Sequence, residues 1–161
     1  MQIKPIGIIH SSFKEPGGVP IQPVFSTEGR ASVEILPQYA EALADLDGFE
    51  RIWLLYWFDR ASGFQAAVKP FMDDTPHGLF ATRAPARPNP IGLSSVRLLS
   101  IDDNILQVAE IDILDNTPLL DVKPYVRRFD CFDVQRNGWL DNATDKTGRA
   151  DGRFYEDRER G

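Results

Sequence analysis

Proline and glycine break this chain into short apolar runs, and that punctuation limits its possible folds more than any other feature. The 161 residues include 12 prolines and 12 glycines. Proline removes a backbone donor and glycine adds backbone freedom, so neither favours a long helix. Short apolar runs between such residues are typical of strands. We therefore expect a mainly β protein: a single antiparallel or mixed β-barrel with one or few short helices and long proline-rich loops, because closing a barrel removes exposed strand edges.

The sequence pattern predicts several strands, some more clearly than others. The predicted strands are residues 3–9, 31–36, 51–58, 78–82, 93–101, 105–114 and 119–123. In 31–36 apolar residues alternate with polar ones, as in a half-buried strand. Residues 51–58 form a continuous apolar, aromatic-rich run. That run predicts a strand buried on both faces, with Trp53 and Trp57 in the core.

One helix and one hairpin have distinct signals. Pro37 suits the first position of a helix, apolar residues follow it at helical spacing, and Gly48 is a plausible stop. The two longest strand candidates, 93–101 and 105–114, are separated only by Asp102-Asp103-Asn104. This arrangement predicts a hairpin with a three-residue turn.

Composition and charge narrow the class of protein. A chain of 161 residues fits one domain, with the barrel over 1–140 and a polar tail over 141–161 that is either mobile or lies on a partner. The net charge of −6 and the pI near 4.9 argue against a polybasic partner-binding protein, although a local basic patch stays compatible with nucleic acid. The single Cys131 excludes an internal disulfide and fits a reducing compartment. We expect a cytoplasmic protein with no metal and no membrane span.

The most unusual segment is the proline loop, defined here as residues 83–90, with three prolines and two arginines in the run Arg-Ala-Pro-Ala-Arg-Pro-Asn-Pro. Prolines fix φ, so the loop is expected to be rigid. A rigid loop that presents Arg83 and Arg87 is suited to hold an anion or a phosphate, because a guanidinium offers a planar fork of donors. The alternative is a stiff structural crossover with solvated arginines.

A second segment, 114–125, combines a turn with a short strand. Asp115 and Asn116 suit a tight turn, and Pro118 forces the residue before it into an extended conformation. Such a turn presents a carboxylate, an amide and a hydroxyl together, which suits a ligand with hydroxyl and amine groups. The alternative is a plain turn, and Asp121 with Lys123 is equally compatible with a simple surface salt bridge.

Four motifs occur in order along the chain. They are Gly-Leu-Phe-Ala-Thr-Arg at 78–83, Arg-Pro-Asn-Pro-Ile-Gly-Leu-Ser at 87–94, Asp115-x-Thr117-Pro118, and Asp121-x-Lys123-Pro124-Tyr125. Through these motifs the chain resembles the TsaA-like family, whose best-understood members are TrmO-type tRNA (adenine-N6)-methyltransferases. The resemblance extends from about residue 3 to about residue 125, most of the chain.

The resemblance implies a fold, a cofactor and partners. The fold is a single β-barrel, the cofactor is S-adenosylmethionine, and the cofactor binds near the interface of a homodimer. The substrate is tRNA, and the product is N6-methylated threonylcarbamoyl-adenosine beside the anticodon, at position 37 of threonine tRNA.

Site residues follow from the same resemblance. The implied cofactor-binding residues are Pro20, Ile21, Gln22, Asp59, Arg60, Arg83, Leu93, Asp115, Asn116, Thr117 and Pro118. The expected substrate-binding residues are Arg87, Asn89 and Arg127. The expected catalytic residues are Asp121, Lys123 and Tyr125: Asp121 or Tyr125 would take the adenine N6 proton, and Lys123 would hold an anionic group. Methyl transfer is an in-line displacement that depends mainly on positioning. Tyr125 or Phe129 is the expected stacking partner for a splayed-out base.

Two other functions stay open on the sequence. One is methyl transfer to a small metabolite, favoured by the acidic pI and by a short polar end where longer bacterial relatives carry a C-terminal domain. The other is a regulator that binds S-adenosylmethionine without catalysis. The positions of six basic residues distinguish a tRNA substrate from a small metabolite. If these residues lie together beside the cofactor pocket, an RNA substrate is favoured. These residues are Arg83, Arg87, Arg97, Lys123, Arg127 and Arg128.

Overall fold

Six antiparallel strands close into a barrel in the computed structural model, which describes residues 2–27, 29–143 and 147–155. The strands in chain order are β1 (Gly7–Ser11), β2 (Arg30–Ile35), β3 (Arg51–Trp57), β4 (Ala67–Val68), β5 (His77–Gly78), β6 (Ile91–Asp102), β7 (Ile105–Ala109) and β8 (Thr117–Pro124). Around the barrel the order is β1-β2-β7-β6-β3-β8, and β4 pairs with β5 in a separate two-stranded sheet. The mainly β barrel expected from the sequence is confirmed.

Alternation along each barrel strand places the core inside the barrel. The side chains that are fully shielded from solvent there include Ile9, Val33, Ile52, Leu54, Val96, Leu106, Val108 and Leu119. The alternation expected for β2 is confirmed. The expectation for β3 is wrong: Ile52, Leu54 and Tyr56 are buried, whereas Trp53 and Trp57 are partly exposed. The physical reason is that a barrel strand has one face on the core and the other towards solvent.

The β6–β7 hairpin is present, but its turn is shorter than expected. Asp102 pairs with Ile105, so only Asp103 and Asn104 form the turn. Asp103 adopts the left-handed region with φ 50°, which short polar residues tolerate. The Asn104 amide also donates to the carbonyl of Ile35 at 2.5 Å, and this bond ties the hairpin to the end of β2.

The helix expected from Pro37 to Gly48 is wrong in type and in continuity. Two 3₁₀ segments, Pro37–Leu43 and Leu46–Gly48, occupy this stretch. They are separated at Asp45, which has φ 65°. A residue in the left-handed region cannot continue a right-handed helix, so the apolar spacing produces two short turns that lie across one end of the barrel.

A second apolar cluster lies beneath the proline loop. Its buried members are Val68, Leu79, Ala84, Ala86 and Phe154. The expected strand 78–82 is correct only at Gly78, because a 3₁₀ turn, Leu79–Ala81, follows β5. This turn points Leu79 into the cluster, and the cluster supports the proline loop from below.

The C-terminal segment, defined here as residues 147–155, packs on its own barrel. Ala150 exchanges backbone hydrogen bonds with the first loop, accepting from Gly18 at 2.8 Å and donating to Val19 at 2.7 Å. Phe154, at 3% exposure, inserts into the second cluster. The expectation of a tail that is mobile or lies on a partner is therefore wrong for 147–155. Residues 144–146 and 156–161 of that expected tail lie outside the described residues.

In the portion of the chain that the structure describes, no helix has the length and apolar character needed to cross a membrane.

Candidate functional site

Asp115 organises one end of the barrel. Its carboxylate accepts hydrogen bonds from the backbone N–H of Ser11 at 3.0 Å, from Lys14 Nζ at 2.5 Å and from the Asn116 amide at 2.9 Å. Burial raises the pKa of Asp115, but the bonds from Lys14 and Ser11 outweigh it, and the net pKa is lowered. Asp115 is therefore an anion held in place by the end of β1 and the loop after it.

The turn expected at 115–118 is shorter in the structure. Asp115 and Asn116 form it, and β8 already begins at Thr117. Asn116 has φ 60°, a left-handed conformation that asparagine tolerates better than most residues. Thr117 closes the turn, because its hydroxyl donates to the carbonyl of Leu114 at 2.7 Å.

Arg60 connects the end of β3 to the same turn. Its Nη2 donates to the backbone carbonyl of Asp115 at 2.5 Å, and its Nη1 reaches the carbonyl of Lys14 at 3.4 Å. Its Nε is 3.7 Å from Asp59 Oδ1, too far for a hydrogen bond. That Nε is buried and has no hydrogen-bond partner.

A small, partly open cleft lies beside these residues. Its walls include the expected cofactor residues Asp59, Arg60 and Thr117. They also include Tyr155 from the C-terminal segment, which forms an isolated bridge with Ala61. Three parts of the chain that are distant in sequence thus meet around one small space.

Asp112 lines this cleft and was missed by the sequence reasoning. One of its carboxylate oxygens, Oδ1, is shielded from solvent and has no hydrogen-bond partner. Burial raises its pKa to about 7, against lowering contributions from the Ser94 hydroxyl and the Arg83 guanidinium. The available signal was a single carboxylate in the apolar run Ile111-Asp112-Ile113-Leu114, where an acid is costly unless it is partnered or functional.

The first loop and the proline loop meet beside the cleft. The Arg83 guanidinium donates to the side-chain carbonyl of Gln22. Pro20 forms an isolated bridge with Arg149 of the C-terminal segment, and Ile21 N–H donates to the carbonyl of Gly148 at 2.9 Å. The expected cofactor residues of the first loop are therefore adjacent to Arg83.

Three other expected cofactor residues face away from the cleft. Leu93 is 50% exposed on the outer face of β6, and Asn116 is exposed at the tip of its turn. Pro118 is partly exposed and is neighboured in β8 by the buried Thr117 and Leu119, so it lies on the outer face. Within the chain these residues do not join the others.

The expected catalytic residues lie elsewhere on the barrel. Asp121 lines a groove of about 730 Å³ beside the 3₁₀ segments, at the barrel end opposite the cleft. Its carboxylate pairs with Lys123 Nζ at 2.7 Å. Tyr125 packs on Trp53, with ring centroids 5.5 Å apart, on the outer face of β3. The structure does not bring this group next to the cleft.

The basic residues are divided over several surfaces. Arg87 donates to the carbonyl of Thr82 at 3.0 Å and lies over the exposed ring of Phe80, so it braces the proline loop. Arg97 is 3.7 Å from Glu110. The others expected at a substrate surface, Asn89, Arg127, Arg128 and Phe129, are exposed. These residues lie in two separate segments, the proline loop and the short helix α1 (Arg127–Asp130).

The donor types at the cleft are hard oxygens and guanidinium nitrogens. Across residues 2–27, 29–143 and 147–155, no group of three or more His, Cys, Asp or Glu side chains is arranged to hold a metal ion.

Comparison with known proteins gives one consistent family. Residues 8–131 match the family described as the tRNA-methyltransferase O N-terminal domain. A probable S-adenosyl-L-methionine-binding protein of Pyrococcus abyssi is 51% identical, over 94% of this chain and 84% of that protein. The tRNA (adenine(37)-N6)-methyltransferase of Escherichia coli is 35% identical, over 78% of this chain and 57% of that protein.

Solved structures agree with the sequence matches. The crystal structure of TrmO from Pseudomonas aeruginosa superposes with a TM-score of 0.73 at 40% identity, over 86% of this chain and 62% of that chain. This chain thus spans about three fifths of the length of the E. coli enzyme and of the solved TrmO chain.

Proposed function

Because the chain belongs to the family of the tRNA-methyltransferase O N-terminal domain, we propose that it binds S-adenosylmethionine and methylates N6 of an adenosine in tRNA. The finer proposal is that this nucleoside is threonylcarbamoyl-adenosine at position 37, beside the anticodon of threonine tRNA. Relatives named tRNA (adenine(37)-N6)-methyltransferase support the activity, and relatives named S-adenosyl-L-methionine-binding proteins support the cofactor.

The observation that carries this proposal is the meeting of four separate segments at one barrel end. The first loop contributes Gln22, the turn after β3 contributes Arg60, the proline loop contributes Arg83, and the β7–β8 connection contributes Asp115. A rigid frame of this kind suits methyl transfer, since an in-line displacement gains most from fixed positions of donor and acceptor.

The residues at the cleft fit the methyl donor chemically. When bound, S-adenosylmethionine supplies an electrophilic methyl group on a positively charged sulfur. Asp59 would balance that positive charge, and the unpartnered Arg60 Nε would donate to an acceptor such as a carboxylate or a ring nitrogen. Arg60 is already fixed by Asp115, so it needs little reorganisation to bind.

The test is nucleoside mass analysis of tRNA incubated with the purified protein and S-adenosylmethionine. We expect one methyl group on the modified adenosine of threonine tRNA, and no such product with a double variant, Asp115→Ala and Arg83→Ala. Calorimetry on the same two proteins should show cofactor binding only for the wild type. Methylation of no tRNA nucleoside would refute the proposed activity.

A regulator that binds S-adenosylmethionine without catalysis is the second candidate. The specific observation is that the relative from Pyrococcus abyssi, at 51% identity, is named only as a probable binding protein. This candidate requires calorimetric binding with no methylated product from tRNA or from small acceptors. The two assays above therefore separate the candidates directly.

A further inference from the structure

Two shielded side-chain atoms without a hydrogen-bond partner occur among the described residues, and both belong to the cleft. They are Arg60 Nε, a donor, and Asp112 Oδ1, an acceptor. Leaving a charged group shielded and unpartnered is unfavourable, so such groups in a native structure call for a functional explanation. Arg60 is explained by the methyl donor proposed above. Asp112 is left as a residue of the cleft wall with an acceptor oxygen that has no partner.

The groups around Asp112 come from every element packed against it. Ser94 on β6 and Arg83 on the proline loop lower its pKa, whereas burial raises it to about 7. Tyr56 on β3 and Tyr155 of the C-terminal segment line the same cleft. Burial also raises the pKa of both phenols, that of Tyr155 to about 12. Both tyrosines are therefore neutral at physiological pH.

The remaining charged groups of the cleft are Asp59 and Arg60, which lie beside each other on the turn after β3. Burial of Asp112 thus raises the pKa of its carboxyl to about 7, close to neutral pH. A general base works best when its pKa lies near the working pH.

We propose that Asp112 is the carboxylate that accepts the proton from the nitrogen that becomes methylated. This inference rests on the proposed function and deepens it. The nitrogen lone pair forms the new N–CH₃ bond while the S–CH₃ bond breaks and its electron pair stays on sulfur. The N–H proton moves to Asp112 Oδ1, so a cationic methyl donor and a carboxylate become a neutral thioether and a carboxylic acid.

The other carboxylates near the proposed site are less suited to this step. Asp115 accepts three hydrogen bonds, and its pKa is lowered. Asp121, the base expected from the sequence, is paired with Lys123 at the other end of the barrel. A carboxylate that is already stabilised as an anion is a weak proton acceptor.

The experiment compares the wild type with Asp112→Asn, which keeps the shape and removes the base. Asp102→Asn, on the exposed hairpin, is the matched control. Initial methylation rates of tRNA are measured from pH 5.5 to 8.5. For the wild type and Asp102→Asn we expect rates that rise with pH through a midpoint near 7. For Asp112→Asn we expect a loss of at least ~100-fold and no such rise.

Two readouts are independent of activity. Calorimetry should give Asp112→Asn an affinity for S-adenosylmethionine within roughly twofold of wild type, because the base faces the acceptor nitrogen rather than the donor. Carbon NMR of the wild-type Asp112 carboxyl should show a titration midpoint near 7. The NMR measurement also holds if the variant fails to fold.

Each contrary outcome has a clear meaning. If the wild type methylates tRNA and Asp112→Asn keeps its rate and pH profile, the inference fails and the proposed function stands. If the variant loses cofactor affinity while its pH profile is unchanged, Asp112 binds the donor and the inference fails. An Asp112 carboxyl that titrates near 4 also refutes it. If the wild type methylates no tRNA, both fail together.

Discussion

At the scale of single residues, two acids of the β7–β8 connection, Asp112 and Asp115, have opposite electrostatic environments. Asp115 is stabilised as an anion by Lys14 and by a backbone N–H, whereas Asp112, three positions earlier, has a carboxylate oxygen that is shielded from solvent and has no hydrogen-bond partner. Pairs of titratable groups whose surroundings separate their pKa values are typical of sites that bind and react. Asp115 holds the end of β1 and the loop after it in place, whereas Asp112 can change its protonation state.

The raised pKa of Asp112 makes a prediction about stability. The folded state holds this proton up to pH about 7, against the ordinary 3.8 in the unfolded chain. The free energy of unfolding therefore falls as the pH rises from about 4 to about 7, by at most ~1.4 kcal/mol per pH unit. Above about pH 7, this contribution of Asp112 no longer changes with pH. Urea titrations should show that Asp112→Asn is more stable than the wild type at pH 8. At pH 5 the difference in the free energy of unfolding between the two proteins should be smaller.

The control for that prediction is the exposed Asp102→Asn variant, for which we expect no pH-dependent difference from wild type. Equal stability gaps at pH 5 and pH 8 for Asp112→Asn would contradict the assigned protonation state.

The sequence predicted part of this site and missed part, for reasons visible in single residues. The family resemblance indicated Asp59, Arg60, Arg83 and the Asp115 turn, and the structure brings these together at one barrel end. Asp112 belongs to none of the family motifs, and its only sequence signal is that it is a single carboxylate within an apolar run. The prediction that Asp121 and Tyr125 act in catalysis depended on their residue types within the Asp121-x-Lys123-Pro124-Tyr125 motif, but β8 places Asp121 at the barrel end opposite the cleft.

At the scale of elements, β3 and β6 pack together through one close contact between a side chain and the backbone. Tyr56 on β3 pairs with Gly92 on β6, and the tyrosine ring lies over the glycine. The same ring reaches Ser94 on β6 at 3.1 Å. Glycine within a strand commonly marks such an approach, because any side chain would occupy the space of the ring.

This contact predicts a specific defect. A Cβ at position 92 would overlap the Tyr56 ring, so Gly92→Ala should lower the free energy of unfolding by about 1–3 kcal/mol. The matched control is Gly63→Ala, where nothing lies within 4 Å of the added carbon. Urea unfolding of both variants checks the prediction, and equal stabilities would contradict the role of the close approach.

Element prediction succeeded where the pattern had a period of two and failed where it was helical. The alternation in β2 and the paired runs of β6 and β7 were sufficient to identify these strands, although β7 ends at Ala109 and the predicted strand residues 110–114 belong to the connection to β8. The stretch after Pro37 has the apolar spacing of a helix, but the positive φ of Asp45 interrupts it. Such a break comes from packing against the barrel end and leaves no distinct signal in the local sequence.

At the scale of the whole molecule, one protomer presents its chemistry on separate surfaces. The cleft is at one barrel end, Leu93 is exposed on the outer wall, and Lys123 with Tyr125 is near the other end. A two-fold interface would allow residues of a second copy to approach the cleft. The homodimer expected from the family resemblance is therefore the proposed assembly.

Light scattering tests the assembly. We expect a mass of twice 18.1 kDa at micromolar concentration. A charged substitution on the outer wall, Leu93→Glu, should shift the mass towards the single chain if that wall forms the interface. A wild-type protein that scatters only as an 18.1 kDa species would contradict the dimer.

Binding of tRNA should depend strongly on salt despite the net charge of −6. Each contact between a basic side chain and a phosphate releases counterions, with a log–log slope of roughly −0.7 to −0.9 per contact. We expect Arg127→Ala to remove about one phosphate contact, because Arg127 is exposed on α1. The magnitude of the log–log slope should then fall by the value of one contact. A response that is flat from low to high salt would favour a small metabolite as the substrate.

The C-terminal segment has a consequence for biosynthesis. All six barrel strands are encoded before residue 125, whereas Tyr155 completes a wall of the cleft and Phe154 completes the cluster under the proline loop. Translation proceeds from the N-terminus, so the barrel has all its strands while this segment is still being synthesised. A nascent chain can thus have a folded barrel and yet be unable to enclose a ligand until Phe154 and Tyr155 have been synthesised and have packed.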